Sequence, residues 1–134
     1  MEATNSIKVQ RIDRCLVEKQ KWKPEQHTVS LKDDGEWWGC ISGEILKSVV
    51  CVSDKHGGKY FSEVYTPPEY RRKGYCTLLL KCLANEVYGE QLLIAHCLKS
   101  SVGCFWSAGF RIYKKRYFKH GDQYYMKRKR KDVE

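Results

Sequence analysis

Alternating apolar and polar positions predict strands through most of the first half of the chain. The predicted strands are residues 7–12, 37–43, 46–53 and 60–66. Glycines in Lys55-His56-Gly57-Gly58 predict a hairpin turn before the last of them. Pro67 and Pro68 end that strand, because proline cannot donate a hydrogen bond to a ladder. A short helix is predicted over 13–23, before Pro24, and Asp33-Asp34-Gly35 predicts a turn.

The hydrophobic period changes after the two prolines. Apolar residues then recur at helical spacing and predict one buried helical stripe: Tyr75, Leu78, Leu79, Cys82, Leu83 and Val87. Gly89 stands where this helix should be capped. The unbroken apolar run 92–95 is typical of a strand covered on both faces, and we expect that strand to extend over about 91–97.

The remaining segment predicts a short helix and a hairpin. Ser101 is a candidate N-cap, Gly109 closes the helix, and strands follow at 110–119 and 123–129. The predicted order is a series of strands, a helix, a buried strand, a helix and a hairpin. This order predicts an α+β (mixed α/β) domain with one central sheet. A length of 134 residues fits a single domain over 1–134.

Positive charge is concentrated at the C-terminal end. The formal net charge is +9. Residues 111–134 hold ten Lys/Arg against three acids, and we read residues 127–134 as a basic tail. Such a segment binds a nucleic acid or a polyphosphate ligand, or is simply solvated. No apolar run is long enough for a membrane helix, and residues 1–6 lack a signal-peptide pattern.

Cysteine usage is typical of reduced thiols. The seven cysteines are an odd number without any C-x-x-C pair, and the four histidines complete no zinc-finger spacing. We therefore expect a cytoplasmic protein without a metal site or a disulfide scaffold.

One stretch, Pro68-Glu69-Tyr70-Arg71-Arg72-Lys73-Gly74-Tyr75-Cys76, carries candidate chemistry. It joins a predicted strand to a predicted helix, where unpaired N–H groups and the helix dipole favour an anion. Gly74 lets the backbone approach a phosphate closely, and the three preceding cations add charge. The alternative interpretation is a basic loop whose glycine serves packing.

This stretch, read from Thr66, resembles motif A of the GNAT superfamily of acyl-CoA-dependent N-acetyltransferases. Ser107-Ala108-Gly109-Phe110 resembles the closing Gly-Phe of the same family. Thr66 and Cys76 depart from the usual Val and Gly/Ala. The resemblance spans about residues 37–128. It implies a GNAT-like fold, in which a mostly antiparallel sheet contains a splayed parallel strand pair and helices flank it.

The resemblance also implies acetyl-CoA as co-substrate and no metal. The backbone of Val64, Tyr65 and Thr66 would bond the pantetheine arm. The pyrophosphate would lie on the turn formed by Arg71, Arg72, Lys73, Gly74, Tyr75 and Cys76. The predicted strands 60–66 and 91–97 would separate to admit the cofactor.

Glu63 is the candidate catalytic base, since the attacking amine must lose a proton. It is the only acid on its strand, and the alternative is a surface glutamate. The family's proton-donating Tyr is replaced by Phe105 and its helix-opening Asn by Leu98. Cys104, His96, Tyr113 and Tyr117 are unranked substitutes for the acid.

Neighbouring residues offer weaker candidates. A nucleophilic Cys97 assisted by His96 is disfavoured, because adjacent strand residues point to opposite faces. Trp37 and Trp38 either wall the acceptor pocket or divide between core and surface.

The resemblance and composition leave several functions open. The first is an N-acetyltransferase that acts in a ternary complex on a primary amine of a small molecule, a peptide or an aminoacyl-tRNA. The alternatives are a nucleic-acid (tRNA)-binding protein that uses the C-terminal basic segment, or a non-catalytic CoA-binding module. Membrane association is not expected, and the oligomeric state stays open.

Overall fold

In the part of the chain that the structure describes, seven strands form one mixed sheet with helices on both faces. The computed structural model describes residues 6–20, 35–119 and 121–129. Its strands are β1 (Ile7–Ile12), β2 (Glu36–Ser42), β3 (Ile45–Lys55), β4 (Gly58–Tyr65), β5 (Leu93–Leu98), β6 (Arg111–Arg116) and β7 (Gln123–Arg128). Its α-helices are α1 (Arg14–Gln20), α2 (Tyr75–Cys82) and α3 (Lys99–Ser107). The strand order is β1-β2-β3-β4-β5-β7-β6, and the predicted α+β class is confirmed.

The sheet has a core on each face. On one face, α2 and α3 cover a cluster that includes Phe61, Leu79 and Phe105. On the other face, Val17 of α1 packs with Trp37 and neighbouring strand residues. No helix in the described ranges is both long and apolar enough to cross a bilayer.

The only parallel pairing among the described strands is between β4 and β5, and it is short. Three residue pairs form, Lys59–Leu93, Tyr60–Ile94 and Phe61–Ala95, and all others in the sheet are antiparallel. Beyond Phe61 and Ala95, β4 continues to Tyr65 and β5 to Leu98 without pairing with each other. The predicted separation of these two strands is confirmed.

The predicted face of the α2 helix was partly wrong. Leu78 and Val87 were expected in the core but are 42% and 40% exposed. Leu80 and Ala84 are buried instead. Because six of the seven residues in 78–84 are apolar, the spacing alone did not distinguish between adjacent faces. The α-helical geometry also ends at Cys82, and a π-helical turn continues it over Leu83–Val87.

Some predicted ends also differ. Helix α3 begins at Lys99, so Ser101 lies inside it and is not the N-cap; the extended residue Leu98 takes that place. Gly109 follows α3 with a φ of +97°, as a closing glycine should. Strand β7 includes the first two residues of the predicted tail, and Arg128 donates a hydrogen bond to the Ala84 carbonyl. Pro24, Asp33 and Asp34 lie outside the described residues.

Candidate active site

A loop over residues 66–74, which ends in the turn at Gly74, connects the open end of β4 to α2. After a single 3₁₀ turn over Pro68–Tyr70, the chain reaches Gly74, which is the N-cap of α2 with a φ of +88°. Arg72 also has a left-handed φ of +62°. A Cβ built on Gly74 would meet nothing within 4 Å, so the backbone here faces open space. The first N–H groups of α2 have no carbonyl within the helix, which makes this turn suitable for an anion.

Four cations lie in or near the turn. Three were predicted, Arg71, Arg72 and Lys73, and the fourth, Lys47, was not. Arg71 turns back to the strand, and its Nε donates to the Thr66 carbonyl at 2.7 Å. Arg72 and Lys73 are exposed. Lys47 of β3 was not predicted, yet its Nζ lies 3.9 Å from the centre of the Tyr70 ring. No sequence pattern predicts the position of a single lysine on a strand. The position of Lys47 beside Tyr70 depends on the register of the sheet.

Glu63 stands at an irregularity in β4. Opposite β3, Tyr65 pairs with Val49 and Ser62 with Cys51, so Glu63 and Val64 together face the single residue Val50. Glu63 has a φ of +55°, which is uncommon for a residue with a side chain. Such a bulge turns a side chain away from the regular alternation, and strained backbone of this kind clusters at functional sites. The half-buried Glu63 lies two residues beyond Phe61, the last β4 residue paired with β5.

Thiols and hydroxyls form a small cluster beside the turn. Ser48 Oγ lies 2.8 Å from Thr66 Oγ1, and Thr77 Oγ1 donates to Cys104 Sγ at 3.4 Å. Cys76, the departure from the motif, hydrogen-bonds to Cys104, and this bond lowers the pKa of the Cys104 thiol while it raises that of Cys76. The thiol of Cys76 is therefore paired with that of Cys104 on α3.

Phe105, which stands at the position of the family's Tyr, packs in the core and not in the gap between β4 and β5. Phe105 is fully buried, with its ring centre 6.3 Å from Phe61 and 5.0 Å from Phe110. Among the other acid candidates, Tyr117 is 76% exposed and Tyr113 is 49% exposed on β6. Cys104 lies against α2, and His96 lies one residue beyond the last β4–β5 pair.

His96 and Cys97 point to opposite faces of β5, as expected. His96 stacks on Tyr125, with ring centres 4.1 Å apart, whereas Cys97 packs in the core against Met126. Burial and the nearby His56 lower the pKa of His96, and burial raises the pKa of Cys97 to about 12. A histidine-assisted cysteine nucleophile is therefore absent at this pair.

The two tryptophans divide between core and surface. Trp37 is 3% exposed in the α1-side core, and Trp38 is half-buried and donates from Nε1 to the Tyr88 hydroxyl at 2.9 Å. A separate groove lies between the β3–β4 turn and residues 90–92, at the paired end of β4 and β5. It contains none of the predicted site residues.

The chain matches the model of the family that its motif resembles. Residues 2–110 match the model of the acetyltransferase (GNAT) family. None of the curated proteins matches the chain in sequence.

Solved acetyltransferase structures share the fold. The yncA structure of Salmonella typhimurium, which contains its cofactor acetyl-CoA, has a TM-score of 0.71 and 14% identity, with 96% of each chain covered. An IAA acetyltransferase from Bacillus cereus has a TM-score of 0.65 and 14% identity, with 92% of this chain and 99% of that chain covered. A variant spermidine N-acetyltransferase from Vibrio cholerae has a TM-score of 0.63 and 12% identity, with 90% and 92% covered.

Proposed function

The chain belongs to the GNAT acetyltransferase family, and from this premise we propose that it transfers the acetyl group of acetyl-CoA directly to a primary amine, with Glu63 as the base. The observation that carries the proposal is the position of two backbone sites with a left-handed φ. The left-handed turn at Gly74 and the bulge at Glu63 lie at the same open end of the β4–β5 pair. The turn at Gly74 suits an anion, and the bulge carries the carboxylate of Glu63.

We assign the CoA pyrophosphate to the turn of Arg71, Arg72, Lys73, Gly74, Tyr75 and Cys76. The N–H groups that open α2 and the exposed cations at 72 and 73 support this assignment. The pantetheine arm would run along the backbone of Val64, Tyr65 and Thr66, where β4 no longer pairs with β5. The bond from Arg71 to the Thr66 carbonyl joins these two parts of the site.

Glu63 is proposed to take the proton of the substrate ammonium. The neutral amine then attacks the thioester carbonyl, a C–N bond forms, and the C–S bond breaks to release the CoA thiolate. The attacking nitrogen loses its second proton to this thiolate, so the products are the acetylated amine and the CoA thiol. A carboxylate at this bulge is suited to the role because it is carried by a strand of the sheet, at the point where β4 and β5 separate. Acetyl-CoA supplies the activated acyl group.

The leaving thiolate is proposed to depart without a tyrosine acid. Phe105 is buried and has no proton to give. Cys104 does not replace it well, because the hydrogen bond from Cys76 lowers its pKa and favours its thiolate. A thiolate is a tolerable leaving group at neutral pH, since the pKa of a thiol is only about 8.5.

The acceptor is proposed to be a primary amine that is not itself strongly cationic. A net charge of +9 opposes the approach of a polyamine, although one structural neighbour is named for spermidine. A peptide amine, a small molecule with a single amine and an aminoacyl-tRNA amine remain the candidates. A non-catalytic CoA-binding module is the second candidate, which the buried Phe105 favours.

Calorimetric titration of the full chain with CoA and acetyl-CoA is expected to give micromolar dissociation constants. At a hundredfold excess of ligand over its Kd, binding should stabilise the fold by about 2.7 kcal/mol and raise Tm by about 8 °C. Absence of both heat and thermal shift at millimolar ligand would contradict the proposed cofactor site.

A further inference from the structure

A row of aromatic rings crosses four adjacent strands on the sheet face that also carries α1. We call it the ring row, and it consists of Tyr60 on β4, His96 on β5, Tyr125 on β7 and Tyr113 on β6. His96 and Tyr125 are direct cross-strand partners. Successive ring centres are 5.0, 4.1 and 6.3 Å apart. Tyr113 is the most open ring, and the other three form a half-buried floor.

Cations flank the ring row from end to end. Lys127 lies 4.8 Å from the centre of the Tyr113 ring, and Lys114 and Arg116 lie 5.7 and 5.8 Å from that of Tyr125. Lys55 lies 5.7 Å from Tyr60. Strands β6 and β7 contain no acid, and three of their six Lys/Arg are the ones beside the ring row. The other three make contacts elsewhere: Arg111, Lys115 and Arg128. The ring row is therefore a stacking surface bordered by positive charge.

We propose that the ring row and its flanking cations bind single-stranded nucleic acid. Aromatic rings stack on bases whatever their sequence, and lysine and arginine contact the phosphates between them. A second copy of this chain fits poorly, because two such faces would bring like charges together. An acidic peptide would form ion pairs with the cations, but it would not supply bases that stack on the rings.

Nucleic-acid binding at the ring row does not require acetyl transfer, although the ring row adjoins the gap between β4 and β5. His96 lies one residue beyond the last pair of β4 and β5. A strand bound on the ring row would thus extend to the edge of that gap. Binding is tested without acetyl-CoA, so its failure leaves the proposed enzymatic function untouched.

Fluorescence anisotropy with a labelled uridine oligonucleotide of about 15 nucleotides measures the interaction. Tyr113→Leu keeps the charge and removes the exposed ring, and we expect about tenfold weaker binding with an unchanged salt slope. Tyr117→Leu is the matched control, because Tyr117 is even more exposed but lies outside the ring row, next to Lys115. It should retain the affinity of the parent chain.

The charge contribution is tested separately. Lys114→Gln with Lys127→Gln should lower the log–log salt slope by about 1.4, which corresponds to two phosphate contacts on a single strand. Lys8→Gln with Lys19→Gln removes the same charge from β1, at the other edge of the sheet, and from α1. All variants keep residues 129–134, so the terminal cations contribute equally to each.

Three results would overturn the proposal. They are no binding at about 50 mM salt, equal losses in the test and control variants, or a preference for inorganic polyphosphate that Tyr113→Leu leaves unchanged. A dimer that Tyr113→Leu dissociates, measured by sedimentation, would instead assign the surface to self-association.

Discussion

Gly74→Glu is expected to abolish CoA binding while the chain remains folded. The new side chain would project into the open space beside the turn, where it meets no protein atom within 4 Å. It would occupy the proposed position of the pyrophosphate and add a negative charge that repels it. We expect the affinity for CoA and acetyl-CoA to fall at least about 100-fold, measured by calorimetry.

One control variant separates this effect from backbone strain. A residue with a side chain at a φ of +88° costs about 1 kcal/mol in any case. Gly43→Glu is the matched control, because Gly43 has a φ of +60° and equally open surroundings in the β2–β3 turn. It should lose similar stability and keep CoA affinity. If Gly74→Glu also keeps the parent affinity, the pyrophosphate binds elsewhere.

Glu63→Gln is expected to lower kcat about 100-fold, the lower end for loss of a general base. Glutamine has nearly the same shape and should tolerate the bulge as glutamate does, but it cannot accept the ammonium proton. CoA affinity should stay unchanged, since the proposed CoA contacts use the backbone and the turn. The deficit should shrink as pH rises, because the amine then loses its proton without help.

Glu69→Gln is the control for this change. Glu69 is exposed in the 3₁₀ turn, so the variant removes the same charge near the site without touching the bulge. Its kcat should equal that of the parent chain. A fully active Glu63→Gln enzyme would make Glu63 a structural residue of the bulge, and an equal loss in Glu69→Gln would indicate a general charge effect.

The fold was predictable because its signals are local. Alternation located the strands, and the proline pair with Gly74 located the turn before α2. The face of α2 was less certain, because its apolar residues surround most of the helix. Leu78 could not be distinguished from Leu80 until the packing against β2, β3 and α3 was known.

The detailed geometry of the site was beyond the sequence. A left-handed φ at Glu63 has no composition signal, since it follows from a one-residue mismatch between β3 and β4. The position of Lys47 beside Tyr70 and the stack of His96 on Tyr125 also depend on strand register. Long-range register is set by the whole sheet, and a single sequence carries little of it.

Acetyl transfer itself is the most direct test of the account. The purified chain is incubated with acetyl-CoA and, in separate reactions, small amines, peptides and an aminoacyl-tRNA, and both free CoA thiol and acetylated product are measured. We predict that at least one amine yields product and thiol in equal amounts, at a rate that Glu63→Gln lowers. Tight acetyl-CoA binding without thiol release for any of these amines would contradict the account and identify a CoA-binding module.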